Sequence, residues 1–167
     1  MSESLRSAIA GMQNKFRLAP GEARAQFHSR SQLRDGFRSD VSIRDHRVVI
    51  DEPAQLGGTD AGPSPVELIL AALGACQEIT YKAYATALGI DLQRVAVELD
   101  GDIDLRGFFG VDDQVRPGYQ AIRGRVRLES SATPAELARL KQIVDRHCPV
   151  LDMLSQPVPV TLELVSD

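Results

Sequence analysis

No apolar run in these 167 residues approaches the 18 or more that a membrane-spanning helix requires, so the chain is expected to have no dealings with a membrane. Cysteine is nearly absent. Only Cys76 and Cys148 occur, too far apart for a CxxC redox or zinc motif, so any joint action requires the fold to bring them together. An excess of positive charge is missing as well: 19 Lys and Arg stand against 23 Asp and Glu, for a net charge of −4. That balance argues against nucleic acid as a partner, because nonspecific affinity for it rests on clustered Lys and Arg releasing counterions. The N-terminal stretch MSESLRSAIAGMQNKF is broken by Glu3, Arg6 and Lys15 and lacks the continuous apolar core of a secretory signal. The expected location is therefore the cytoplasm. With 43% hydrophobic and 25% charged residues the composition is that of a soluble globular chain. At 18.2 kDa one domain of ordinary size buries about two thirds of its unfolded surface and needs no metal or disulfide staple to fold.

What is present is unevenly distributed. Arg17, Arg24, Arg30, Arg34, Arg38, Arg44 and Arg47 crowd residues 17–47, opposed by Glu22, Asp35, Asp40 and Asp45, which predicts a local basic face. Ahead of it, Leu5, Ile9, Met12 and Phe16 recur at helical spacing and predict an amphipathic helix over 1–20, ended by Pro20 and Gly21. A stripe this narrow ordinarily docks on its own domain; the alternative is an arm that grips a partner subunit. Over 23–50 the pattern becomes β, with Ala25 and Phe27, then Phe37, Val41 and Ile43, then Val48 to Ile50, separated by turn signals at Asp35-Gly36 and Asp45-His46. A hairpin or meander is expected there.

The Pro- and Gly-rich stretch DEPAQLGGTDAGPSP reads as a loop. Ser64, Pro65 and Glu67 then form a capping box with proline at the first helical position and open a long helix over 64–89. Its first half, Leu68 to Cys76, is apolar or small on nearly every face and is expected in the core. Val95, Val97 and Leu99 alternate with polar residues as a strand; a Gly-rich excursion containing Phe108 and Phe109 follows; Ile122, Val126 and Leu128 alternate with arginines as a second strand. Thr133, Pro134 and Glu136 repeat the capping box for a helix over 133–147, stopped by Cys148-Pro149. Val158, Val160, Leu162 and Leu164 predict a closing strand. The expected architecture is a single α+β domain with an antiparallel sheet packed on a long central helix and a second helix.

Both cysteines fall on or beside the two main helices. A lone buried cysteine is often only a small apolar side chain, but at Cys76 the following Gln77 and Glu78 turn the helix polar and place the thiol at the edge of the core. Three turns from the helix start the dipole has faded, so a reactive thiolate there needs a cation, which the arginine-rich hairpin can supply. His147 beside Cys148 and the two cysteines make only three metal ligands, one short of a zinc site, so no metal is expected. A Cys76/His147 hydrolase dyad lacks any mark of an oxyanion hole.

The segments DEPAQLGGTDAGPSPVELILAALGACQEIT, at 51–80, and RHCPVLDMLSQPVPVTLEL, at 146–164, resemble the OsmC/Ohr family of thiol-dependent organic hydroperoxide peroxidases, with the intervening elements in the family's order. The resemblance implies that Cys76 is the attacking cysteine and Cys148 the resolving one, with an organic hydroperoxide as substrate, a dithiol as reductant, no cofactor and an intertwined homodimer. It also implies an arginine from the N-terminal hairpin, for which Arg38 and Arg44 are the nearest matches, and a carboxylate to orient it. In the hydroperoxide-resistance branch that Glu directly follows the helix-opening Pro; here Val66 stands there and the carboxylate is Glu67, one step or about 100° around the helix. The Pro-x-Glu-Leu start is closer to the OsmC-like branch. Leu73, Phe108, Phe109 and Met153 are the candidate apolar wall for the organic part of the substrate. A binder of a small apolar or lipid-like ligand, without turnover, is the competing expectation.

Overall fold

Pro65, seated after Ser64 with Glu67 three residues beyond Ser64, opens the longest helix of the molecule. Ser64 N–H donates to the Glu67 carboxylate at 2.7 Å, and Glu67 N–H donates to Ser64 Oγ at 3.4 Å. The computed structural model describes residues 2–166. Along the chain it holds α1 (Ser2–Leu18), a 3₁₀ turn (Pro20–Ala23), β1 (Arg30–Leu33), β2 (Ser39–Ile43), β3 (His46–Ile50) and a second 3₁₀ turn (Ala54–Leu56). Then come α2 (Pro65–Leu88), β4 (Leu92–Ile103), α3 (Leu105–Phe108), β5 (Tyr119–Ser130), α4 (Pro134–His147) and α5 (Pro149–Ser155). The class is α+β with antiparallel sheets, as expected. Among the described residues no helix is long and apolar enough to cross a membrane.

The chain divides into two compact units. One runs up to Ala72 and takes in Glu98–Arg125; the other comprises Leu73–Val97 and the chain from Val126 onward.

In the first unit, β1, β2 and β3 form an antiparallel meander, Arg30 opposite Ser42 and Ser42 opposite Arg47. Gly36 turns the chain between β1 and β2 at φ +60°, and Arg44 does so between β2 and β3 at φ +53°, a left-handed conformation that costs a non-glycine residue energy. The loop after β3 is held by Asp51. This buried carboxylate accepts from the N–H groups of Glu52 (2.8 Å), Thr59 (3.0 Å) and Ala61 (3.2 Å) and from the Thr59 hydroxyl. Donation from Thr59, helped by the backbone donors, outweighs burial and lowers the Asp51 pKa to about 2. Gly58 and Gly62 lie so close to the carbonyls of Glu52 and Val49 that any β-carbon would collide with them.

The second unit contains the hydrophobic core of Tyr81, Ala85, Leu92, Leu140 and Val144, flanked by Tyr84, Ile90, Val95, Val126 and Leu128. Tyr81 and Ala85 are one turn apart on α2 and Leu140 and Val144 one turn apart on α4, so each helix contributes one stripe. Burial, with a smaller contribution from Asp145, pushes the Tyr81 phenol up to about 12. Thr133 caps α4 in a complete capping box with Glu136.

Four sequence expectations are corrected. Residues 24–29 form no strand, and Phe27 is 92% exposed; the alternation there spans only Ala25 and Phe27, too short to compete with the turn before it. The stripe of α1 does not dock: from Glu3 to Leu18 every side chain is exposed except Ile9 and Phe16, which are half-buried. Within Leu68–Cys76 only Leu73 is buried, the core lying instead against the second half of α2. Finally, residues 156–166 form no closing strand, and Val160, Leu162 and Leu164 are 74%, 91% and 98% exposed. Alternation reports a preference for a half-buried strand, but it does not supply the neighbouring strand, and Pro157 and Pro159 remove two donors from any ladder.

Candidate active site

Cys76 and Cys148 both belong to the second unit. Cys76 sits midway along α2, half-buried, with its carbonyl accepting from the Thr80 hydroxyl at 2.7 Å. Leu73, one turn earlier on the same face, is buried, and Gln77 beside it is buried too. Cys148 is the single residue between α4 and α5 and is fully buried. Its N–H donates to the Val144 carbonyl at 2.9 Å and its carbonyl accepts from Asp152 N–H at 3.0 Å, so the backbone on both sides is fixed. The helix α5 that follows was not read from the sequence. The signal was present, since proline directly after a non-helical residue is a common first helical position.

Both cysteines are free thiols. Burial pushes the Cys148 thiol up, and a side-chain hydrogen bond and charge interaction with Cys76 push the same way; the N–H groups of Leu151 and Val150 partly oppose this. A buried thiol with a raised pKa stays protonated at neutral pH. His147 stacks on Tyr84 with ring centroids 5.1 Å apart and planes 24° from parallel, which gives it a packing role one residue from the thiol. Met153 on α5 is 47% exposed.

The remaining sequence-predicted residues belong to the first unit. Glu67 is occupied in the cap of α2. Arg38 contacts Asp40 at 3.4 Å and so has a carboxylate that orients it, a partner the sequence did not reveal. Arg44 occupies the strained turn between β2 and β3. Phe108 and Phe109 are 64% and 56% exposed, with their rings edge to face at 5.0 Å. Next to them Arg106 clamps Asp104 and contacts Asp112 at 3.4 Å, pinning the base of the loop.

An α+β chain with two sequence-distant free thiols in one unit, one half-buried on a helix and one buried at a helix junction, with the first raising the pKa of the second, has the makings of a dithiol site. The family is settled by comparison: a family model described as OsmC-like protein matches residues 58–163, and the chain belongs to that family. Its fold is similar to that of an OsmC-like protein from Mycoplasma pneumoniae, with a TM-score of 0.70 and 17% identity over 80% of this chain and 89% of that one. It is also similar to an organic hydroperoxide resistance protein OsmC from Legionella pneumophila (TM-score 0.59, 17% identity, 79% and 90% covered). A third similar structure is an organic hydroperoxide resistance protein from Elizabethkingia anophelis (TM-score 0.59, 14% identity, 81% and 92% covered). No curated protein sequence matches the chain significantly.

Proposed function

We propose that the protein is a cytoplasmic, homodimeric peroxidase that reduces organic hydroperoxides through Cys76 and Cys148, as part of an oxidative stress response. The observation that carries this reading is that two free cysteines far apart in sequence belong to one unit, where Cys76 adds to the burial that raises the Cys148 pKa. Family membership and the names of the Legionella and Elizabethkingia proteins support it.

In the proposed cycle the Cys76 thiolate attacks the distal oxygen of ROOH. The O–O bond breaks, a Cys76 sulfenic acid forms and the departing alkoxide takes a proton to leave as alcohol. Cys148 then displaces water from that sulfenic acid to give the Cys76–Cys148 disulfide. A dithiol reductant returns both cysteines to thiols and is itself oxidised to a disulfide. Arg38 is the preferred cation for the thiolate and the developing alkoxide, because Asp40 can orient its guanidinium, with Arg44 as the second candidate. Glu67 is assigned to the helix cap rather than to the arginine. Leu73, Met153, Phe108 and Phe109 are the proposed contacts for the organic group.

Mixing reduced protein with cumene hydroperoxide and titrating thiols tests the reading. Wild type should consume peroxide and lose two thiols per chain; Cys148→Ser should consume one equivalent and stop at a sulfenic acid that dimedone traps. Cys76→Ser should do neither, and Arg38→Ala should slow consumption about a hundredfold. Unconsumed peroxide with both thiols intact would refute it. The commitment of Glu67 to a cap favours the second reading, a binder of an apolar ligand, in which Cys76→Ser retains full ligand affinity while no variant turns over peroxide.

A further inference from the structure

The β1–β2–β3 sheet carries a cationic face of which the proposed thiol chemistry uses only Arg38, with its partner Asp40. Its antiparallel register puts Arg30, Ser42 and Arg47 in one cross-strand row, with Gln32, Asp40 and Val49 in the next row on the same face. Arg34 and Arg38 lie beyond, at the β1–β2 turn. These side chains line a cavity of about 400 Å³, within the range of small-ligand sites.

The charges in this cavity are not balanced. Asp40 is its one acidic lining residue, against Arg30, Arg34, Arg38 and Arg47, which leaves three positive charges uncompensated. Asp40 is already engaged, accepting from Arg34 Nε at 3.0 Å and lying 3.4 Å from Arg38 Nη2. The Arg34 hydrogen bond holds its carboxyl below the usual range, so it stays ionised and fixes those two guanidinia. Arg30 and Arg47, flanking the small hydroxyl of Ser42, have no carboxylate within ion-pair distance among the described residues. Four guanidinia gathered merely to hold a sheet together would be expected to carry their own counter-charges; two here are left with donors aimed at no anion.

We infer that this sheet face binds a small, multiply charged phosphate compound whose linked phosphates bridge Arg30 and Arg47 across Ser42. The two arginines stand two strands apart, about 9.6 Å between backbones, which suits a chain of two or three phosphates better than a single one. Arginine pairs phosphate oxygens through two parallel N–H donors, and the Ser42 hydroxyl adds a third donor between them. The small volume of the cavity and the net charge of −4 favour a compact ligand over a nucleic-acid strand.

Calorimetric titration of the full-length reduced protein with inorganic tripolyphosphate in 50 mM salt tests this. One site per chain is expected, weakened at least about tenfold in Arg30→Gln or Arg47→Gln, and about a hundredfold in the double variant. Tripolyphosphate should bind more tightly than orthophosphate or citrate, and binding should fade as salt screens the arginines. Arg24→Gln, outside the sheet, should bind as wild type does. All these variants should consume cumene hydroperoxide at the wild-type rate, so the result is independent of the peroxidase reading. Absence of saturable binding at millimolar tripolyphosphate, or unchanged affinity in both sheet variants, overturns the inference. So does tighter binding of a single-stranded oligonucleotide that strengthens with its length, which marks an extended nucleic-acid surface instead.

Discussion

Cys148 and Asp51 are both buried and both titratable, yet their surroundings push them in opposite directions. Cys148 loses solvent and gains a neighbouring sulfur, so its pKa rises; Asp51 gains three backbone donors and a hydroxyl, so its pKa falls to about 2. For the proposed cycle this means that the resolving thiol is largely protonated at neutral pH. Condensation with a preformed Cys76 sulfenic acid should therefore accelerate as pH rises through and beyond the ordinary thiol range, measured by stopped-flow pH jump; a rate flat from pH 7 to 10 would contradict it. For Asp51 the sign is reversed. A carboxyl whose folded pKa is depressed stabilises the fold above its ordinary value of 3.8, and that contribution disappears as pH falls through about 2. In urea titrations Asp51→Asn should be less stable than wild type at pH 7, and the gap should narrow between pH 4 and 2. Neither environment is legible in the sequence. Asp51 follows a strand and precedes a loop like many surface aspartates, and its donors come from Thr59 and Ala61 only after the loop has folded back. Cys76 and Cys148 were legible as a pair through the resemblance of the segments around them; Asp40, the oriented partner of Arg38, was not, because carboxylate–guanidinium contacts depend on strand register.

Helix ends were the most legible elements. Thr133 and Glu136 satisfy each other's backbone donors reciprocally, at 3.3 Å and 2.8 Å, and the boundaries of α2 and α4 fall within a residue of those read from the capping boxes. Such signals are local, and local chemistry survives whatever the rest of the chain does. Thr133→Ala should cost about 1 kcal/mol, read as a fall of about 3 °C in the melting midpoint. Strands behaved differently. The turns of the meander and its strands β2 and β3 were legible, β1 (Arg30–Leu33) was not, having no apolar alternation, and residues 156–166 carry the alternation of a strand without forming one. A strand is completed by a neighbour, and sequence periodicity identifies the face to be covered but not the element that covers it. The same limit applies to α1, whose stripe stays largely uncovered in the structure.

At the scale of the whole molecule, the unfilled demand for cover is large. Phe27, Leu162 and Leu164 stand over nine-tenths exposed, and Ile79 on α2 is 70% exposed. The proposed homodimer would cover these side chains, as obligate dimer interfaces are both large and apolar. Light scattering should give twice the 18.2 kDa chain mass at micromolar concentration, and a chain ending at Gln156 should shift towards the monomer.

The bare valines and leucines near the C-terminus have one more consequence. If a second chain is what shelters them, folding and assembly share a single equilibrium, and mass action ties the thermal midpoint to protein concentration. Dilution then becomes a denaturing condition in its own right: each tenfold dilution should lower the midpoint measurably, and chains stranded alone should aggregate through those same uncovered side chains.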